Sequence, residues 1–207
     1  MKRTPIDELA RTSGATFIEE GGWQIAKASS AVAATNLSLT DHSARGKLFV
    51  QGKEAEVVLS AVFTLPTLAI NQGAVIPDGA VYRLRQDLFL VNTVVGEELT
   101  LQTKLDDVIG NQGVFMTVTD GTHGRFQFQL WGKHSPDLLR RLCGLDFHET
   151  QFPNLTAKQS SVAKTAQIVI RQDINKERAY FLIGARSLAI YVWQTVQQAG
   201  QAMGLQA

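Results

Sequence analysis

The 207-residue sequence predicts an α+β protein made of two ferredoxin-like (β-α-β-β-α-β) halves, each an antiparallel sheet with helices packed on one face. Three observations carry that prediction. Residues 46–63 and 124–144 share one pattern, a basic alternating strand that ends in Gly-Lys (Gly52-Lys53 and Gly132-Lys133) and runs into a helix. Each copy is followed by the same tripeptide, Arg85-Gln86-Asp87 and Arg171-Gln172-Asp173, next to a strand and ahead of a second helix. No Pro/Gly/Ser-rich linker separates the copies, so they are expected to pack closely. The halves are placed at 46–120 and 121–207, with 1–45 as an N-terminal segment packing on them.

In chain order, Thr4-Pro5-Ile6-Asp7 reads as a capped helix start and Gly14 as its stop. Two short extended pieces surround Gly21-Gly22, and residues 28–44, small and polar, are expected to be mostly irregular. A strand begins at Lys47, and Lys53 to Phe63 carries Val57, Val58 and Ala61 at helical spacing. A loop punctuated by Pro66 and Gly73 leads to a strand pair, 79–84 and 88–92, across the Arg85-Gln86-Asp87 turn. Thr93 to Ile109 reads as a helix with Leu101, Leu105 and Val108 on one face; Gly113 ends it and Val114 to Thr119 forms the closing strand.

The second half repeats this order: a strand from Arg125 to Trp131, a helix opened by Ser135-Pro136-Asp137 and stopped at Gly144, and a polar loop at 145–160. Strands at 163–170 and 178–183 follow, then a long helix from Ala185 to Met203 with Leu188, Val192, Val196, Ala199 and Met203 along one stripe. One further strand is expected in each half. Trp131 and Trp193 are assigned to core faces, and Trp23 to packing.

Net charge is +1, from 20 basic and 19 acidic residues, which gives no electrostatic ground for a nucleic-acid or membrane partner. No apolar run approaches the ~18 residues of a membrane span. The N-terminus lacks the apolar region of a signal peptide, so a cytoplasmic location is expected. With one cysteine, Cys143, and no His-x-x-x-His spacing, neither a disulfide framework nor a metal site is expected. Cys143, at a helix end, reads as an inert buried thiol.

Residues 3–25, R-T-P-I-D-E-L-A-R-T-S-G-A-T-F-I-E-E-G-G-W-Q-I, resemble the start of the glycine-cleavage T-protein family, the tetrahydrofolate-dependent aminomethyltransferases. Asp41-His42-Ser43 leading into Gly46 resembles that family's Asp-x-Ser-x-x-Gly strand entry, and Val50 to Ala55 its x-V-x-G-x-x-A turn. Phe128 to Pro136 is similar to its later L-x-G-P turn, so the likeness runs in order over most of residues 3–205. The resemblance implies tetrahydrofolate as ligand, held in a cleft between two ferredoxin-like halves like those of the T-protein N-terminal region. It implies that Asp78 matches the aspartate beside the reacting folate nitrogen, Tyr82 a tyrosine near the pterin and Asn92 an asparagine of the next strand. Arg171 is the candidate for the folate glutamate tail.

Departures are equally visible. Pro77 replaces the first aspartate of the family's pair, and Arg171 to Glu177 stands where the family has R-T-G-Y-T-G-E. The family's C-terminal barrel has no counterpart in these 207 residues. The gamma-type subunit of heterotetrameric sarcosine oxidase, which lacks the barrel, is similar in length, whereas the K-G-C-Y-x-G-Q-E motif of the folate proteins that assist iron–sulfur enzymes is not found. Read without the resemblance, Asp78 in Pro-Asp-Gly fits a plain turn as well as a folate contact, Tyr82 a strand surface as well as a cleft, and Arg171-Gln172-Asp173 a solvated turn. Three functions follow. One is a folate-binding aminomethyltransferase, with weak or no activity alone. Another is a non-catalytic accessory subunit of an amine-oxidising or one-carbon complex, with other protein subunits as partners. The third is a duplicated ferredoxin-like scaffold for another ligand.

Overall fold

A computed structural model describes residues 1–27 and 37–207, which fall into two compact units, 45–123 and 1–44 with 124–207. Each unit contains one copy of the duplicated motif.

The 45–123 unit runs β5 (Arg45–Gln51), α2 (Ala55–Val62), β6 (Gly73–Ile76), β7 (Gly79–Arg85), β8 (Leu88–Val95), α3 (Glu98–Gln112) and β9 (Thr117–Asp120). The strands form one antiparallel sheet in the order β6-β7-β8-β5-β9. Without β6 this is the ferredoxin-like order, with the last strand beside the first. Strand alternation sends Leu48, Val50, Val81, Phe89 and Val91 to one face, where they meet Val58 and Leu59 of α2 and Leu101 and Leu105 of α3. Val57, expected on the buried face of α2, is exposed, because the buried stripe runs through Ala55, Val58 and Leu59.

The other unit repeats the plan with β10 (Arg125–Trp131), α4 (Ser135–Leu142), β11 (Thr156–Val162), β12 (Thr165–Arg171), β13 (Ala179–Ala185) and α5 (Ala189–Gly200). Its sheet order is β11-β12-β13-β10-β4, where β4 is Ser38–Asp41. The strand that closes this half therefore precedes it in the chain, β4 pairing antiparallel with β10 from Asp41 opposite Phe128 to Ser38 opposite Trp131.

 On the helix-bearing face Leu39, Phe126, Phe128, Leu130, Val169, Tyr180 and Leu182 pack against Leu138, Leu139, Val192, Trp193 and Val196. Trp131, expected in the core, is half-buried, because strand alternation sets it on the face opposite Leu130.

The two Gly-Lys joints are built alike. Gly52 donates its N–H to the Asp87 carbonyl and Gly132 to that of Arg178, and the first helical turn closes back on each glycine, from Ala55 and from Ser135. The N-terminal residues add β1 (Lys2–Arg3), α1 (Asp7–Thr12), β2 (Phe17–Glu20) and β3 (Trp23–Ala26) in a small sheet ordered β1-β3-β2, with Trp23 fully buried. Helix α1 has no side-chain cap: Ile6 is at the cap position, and Asp7 instead pairs with Arg11.

Three expected loops contain strands. β4 lies within the stretch expected to be irregular, of which residues 28–36 are outside the described residues. β6 and β11 are edge strands, paired on one side only. Helix α3 begins at Glu98 rather than Thr93, because β-branched Val94 and Val95 continue β8 and Gly96, at φ 89°, turns the chain out of the strand. No helix among the described residues is long and apolar enough to cross a membrane.

Candidate functional site

Three buried polar residues of the 45–123 unit, Lys47, Asn92 and Thr93, lie at one corner of its sheet. Lys47 pairs with Asn92 and Asn92 with Ala80, so Lys47, Asn92, Ala80 and, two residues on, Tyr82 share the face opposite the helices. All four are buried, Lys47 and Tyr82 at 0% exposure. The register between β5 and β8 shifts between Arg45 and Lys47, which sets Thr93 and Val94 together against Gly46. Asn92 Nδ2 donates to the Gly46 carbonyl at 2.8 Å, and Lys47 Nζ donates to the Arg45 carbonyl at 2.6 Å.

Asp78 is attached to the same corner. It sits with Pro77 in the tight turn joining β6 to β7, at φ 61°, a left-handed conformation that aspartate tolerates better than most residues. Its carbonyl accepts the Val94 N–H at 2.8 Å, and its side chain is exposed. The next residue has no room for a side chain: a Cβ on Gly79 would lie 2.3 Å from the Asn92 carbonyl oxygen and 3.0 Å from Thr93 Cα. Gly79→Ala should therefore push β7 from β8 and displace the Asp78 turn, at a cost of about 2 kcal/mol. A thermal melt checks this, and an unchanged melting temperature would show that the hairpin yields freely there.

Burial raises the Tyr82 pKa, against the opposing field of Arg45, so the phenol stays protonated and remains an O–H donor. Burial lowers the Arg45 pKa, with the Tyr82 hydroxyl acting in the other direction. The fold brings the sequence candidates Asp78, Tyr82 and Asn92 to this corner, beside Lys47, which the sequence did not single out.

Arg171 lies in the other unit and is not the solvated turn residue expected. It is 3% exposed and pairs in register with Tyr180, on the helix-bearing face. Two parallel hydrogen bonds join its guanidinium to Asp173, at 2.9 and 2.8 Å; Nη1 also donates to Glu149 at 2.7 Å and to the Phe152 carbonyl at 2.8 Å. These partners, Asp173 first, raise the Arg171 pKa, and the hydrogen bond from Arg171 leads the causes that lower that of Glu149. Glu149 also pairs with Arg178 at 3.1 Å. Among the described residues there is no group of three or more His, Cys, Asp or Glu side chains that could hold a metal ion.

Comparison with known proteins bears on the family and the fold. Aminomethyltransferases from Halothermothrix orenii and Streptomyces coelicolor are 25% and 24% identical to the chain, each over 99% of it and over 61% and 59% of their own length. The chain thus spans about three fifths of these curated relatives. The glycine cleavage system aminomethyltransferase T from Bartonella henselae has the same fold, with a TM-score of 0.79 at 16% identity over 95% of this chain and 57% of that one. A chain of the heterotetrameric sarcosine oxidase from Corynebacterium sp. U-96, solved in complex with pyrrole 2-carboxylate, has a TM-score of 0.75 at 19% identity, over 97% of this chain and 95% of that one. The GCVT N-terminal domain family matches residues 6–207, nearly the whole sequence, and the chain belongs to that family.

Proposed function

We propose that the protein binds tetrahydrofolate and supports transfer of a one-carbon unit from an amine donor, with Asp78 orienting the reacting nitrogen. The observation that carries this reading is the placement of an exposed Asp78 carboxylate on a turn hydrogen-bonded to Val94 of β8, which lies two residues beyond buried Asn92, and next to the strand that bears Tyr82. Folate, when bound, supplies the nitrogens that accept the one-carbon unit. A carboxylate held at this corner would stabilise positive charge developing on the amine. Tyr82, a protonated phenol, and Asn92, an amide fixed through Gly46, suit the mixed donor and acceptor edge of a pterin. Arg171 we assign instead to holding the 145–155 segment against β12, since two carboxylates and a carbonyl already engage its guanidinium. We assign the protein to the cytoplasm, where its one cysteine, Cys143, is a buried thiol.

A second reading, a non-catalytic subunit of an amine-oxidising or one-carbon complex, is supported by the likeness to sarcosine oxidase, which covers 95% of that chain. The two readings separate on Asp78→Ala. In the enzyme reading it lowers transfer about 100-fold; turnover measured with a methylamine donor and tetrahydrofolate checks this. Wild-type protein that binds tetrahydrofolate but transfers nothing, alone and unchanged by the substitution, points to the accessory subunit.

A further inference from the structure

We propose that Thr93 is a positioning residue for Asp78: it fixes the end of β8 to which the Asp78 turn is bonded, and so sets where the carboxylate points. The proposal rests on the folate reading for its use and adds to it the part that aims the carboxylate. The turn needs to be held. Ile76 pairs with Gly79, so Pro77 and Asp78 are the two central residues of the hairpin loop. Proline first and a positive φ second, 61° at Asp78, is the type II pattern, in which glycine or asparagine is the usual second residue. Type II turns also splay antiparallel strands, whose twist favours the mirror-image turns. Aspartate at that place is therefore kept there by its surroundings rather than by its own preference. Its side chain is exposed, so the direction of its Cα–Cβ bond follows from how the backbone of the turn is held.

What holds it is β8. Gly79 pairs with Thr93, and Val94 donates its N–H to the Asp78 carbonyl at 2.8 Å. Thr93 is 2% exposed, and its Oγ1 donates to the Val94 carbonyl at 2.8 Å. The same hydroxyl fills the space that a side chain on Gly46 would take: a Cβ there would collide with Thr93 Oγ1 and lie 3.4 Å from Thr93 Cβ. Asn92 grips Gly46 as well, through its carbonyl. Neighbouring residues Asn92 and Thr93 thus fasten β8 to β5 at Gly46. One residue on, Val94 carries that anchor to the Asp78 turn.

The test compares Thr93→Val, which keeps the shape and loses the hydroxyl, with Thr93→Ser, which keeps the hydroxyl. Amide exchange followed by NMR, without ligand, reads the turn directly. Exchange of the Val94 amide should quicken about 10-fold or more in Thr93→Val, with Leu90 in the same strand unchanged, and stay within about 3-fold of wild type in Thr93→Ser. Turnover with a methylamine donor and tetrahydrofolate reads the use. Thr93→Val should lower kcat about 10-fold and change KM by no more than about 2-fold, since the carboxylate is still present but mis-aimed. Thr93→Ser should recover the rate. In an Asp78→Ala background Thr93→Val should have no further effect on kcat, because it acts only through that carboxylate. Unchanged Val94 exchange overturns the proposal. So does quicker exchange with unchanged turnover, and so does an equal loss of kcat with and without Asp78, which would make Thr93 a general support of the fold; all three leave the folate reading in place. Wild-type protein that transfers nothing removes the enzyme reading, and the positioning role with it. Should Thr93→Val fail to fold, Thr93→Ala, which removes the hydroxyl and leaves room beside Gly46, carries the same test.

Discussion

Arg171→Met should destabilise its unit by about 3 kcal/mol, because it removes one partner from a buried ion pair and leaves the others desolvated. The substitution keeps much of the apolar stem and deletes the charge. It strands Asp173, whose side chain is 18% exposed, and the Phe152 carbonyl, which then has no donor from the guanidinium. A thermal melt should show a fall of roughly 6 to 12 °C. The Glu149 share is small, since its side chain is 52% exposed and solvent screens it. Its sign is still defined. The Glu149 pKa is lowered in the folded state, so its contribution is present above the unfolded-state value of about 4.3 and is lost as pH falls through the lower folded-state value. The gap in melting temperature between wild type and Arg171→Met should therefore narrow below about pH 4. A variant as stable as wild type at pH 7 would show that the clamp contributes nothing.

Phe128→Ala should cost about 4 kcal/mol, the range for emptying a fully buried aromatic position. Phe128 stacks on Phe126 with ring centres 4.5 Å apart and meets Trp193 edge-on at 5.0 Å. Its loss opens a cavity between β10 and α5 and removes two aromatic contacts. Denaturant unfolding gives the magnitude, and the emission of Trp193 should shift as its packing loosens. Phe128→Leu, which refills most of the volume, should recover more than half of the loss. If Phe128→Ala cost under 1 kcal/mol, the packing of β10 on α5 would be wrong.

Much of the fold was legible because alternation and helical spacing mark elements that bury one face. Arg125–Trp131 alternates cleanly and is a strand over those residues. Leu138, Leu139 and Leu142 mark α4, and Gly113 ends α3 as expected. What escaped was edge structure. Thr156–Val162 is polar through its middle because an edge strand needs one neighbour rather than a buried face, so its composition resembles a loop. Ser38–Asp41 is four residues long, too short for alternation to stand out, and its partner β10 is remote in sequence. At the candidate site, the family resemblance pointed to Asp78, Tyr82 and Asn92, whereas the pairing of Lys47 with Asn92 depends on strand register and is not visible in sequence. Arg171 was misjudged for a related reason. Its tripeptide resembles a turn, yet Glu149, 22 positions away in sequence, closes over it.

The duplication sets the scaffold, and we propose that the corner around Asp78 gives it a chemical use. The measurement that tests this most directly is titration of the wild-type protein with tetrahydrofolate, followed by quenching of tryptophan fluorescence. Saturable quenching at submillimolar ligand, weakened by Asp78→Ala, is the predicted result. No change in fluorescence, and no heat in a parallel calorimetric titration, at millimolar ligand would contradict the assignment of this corner to folate.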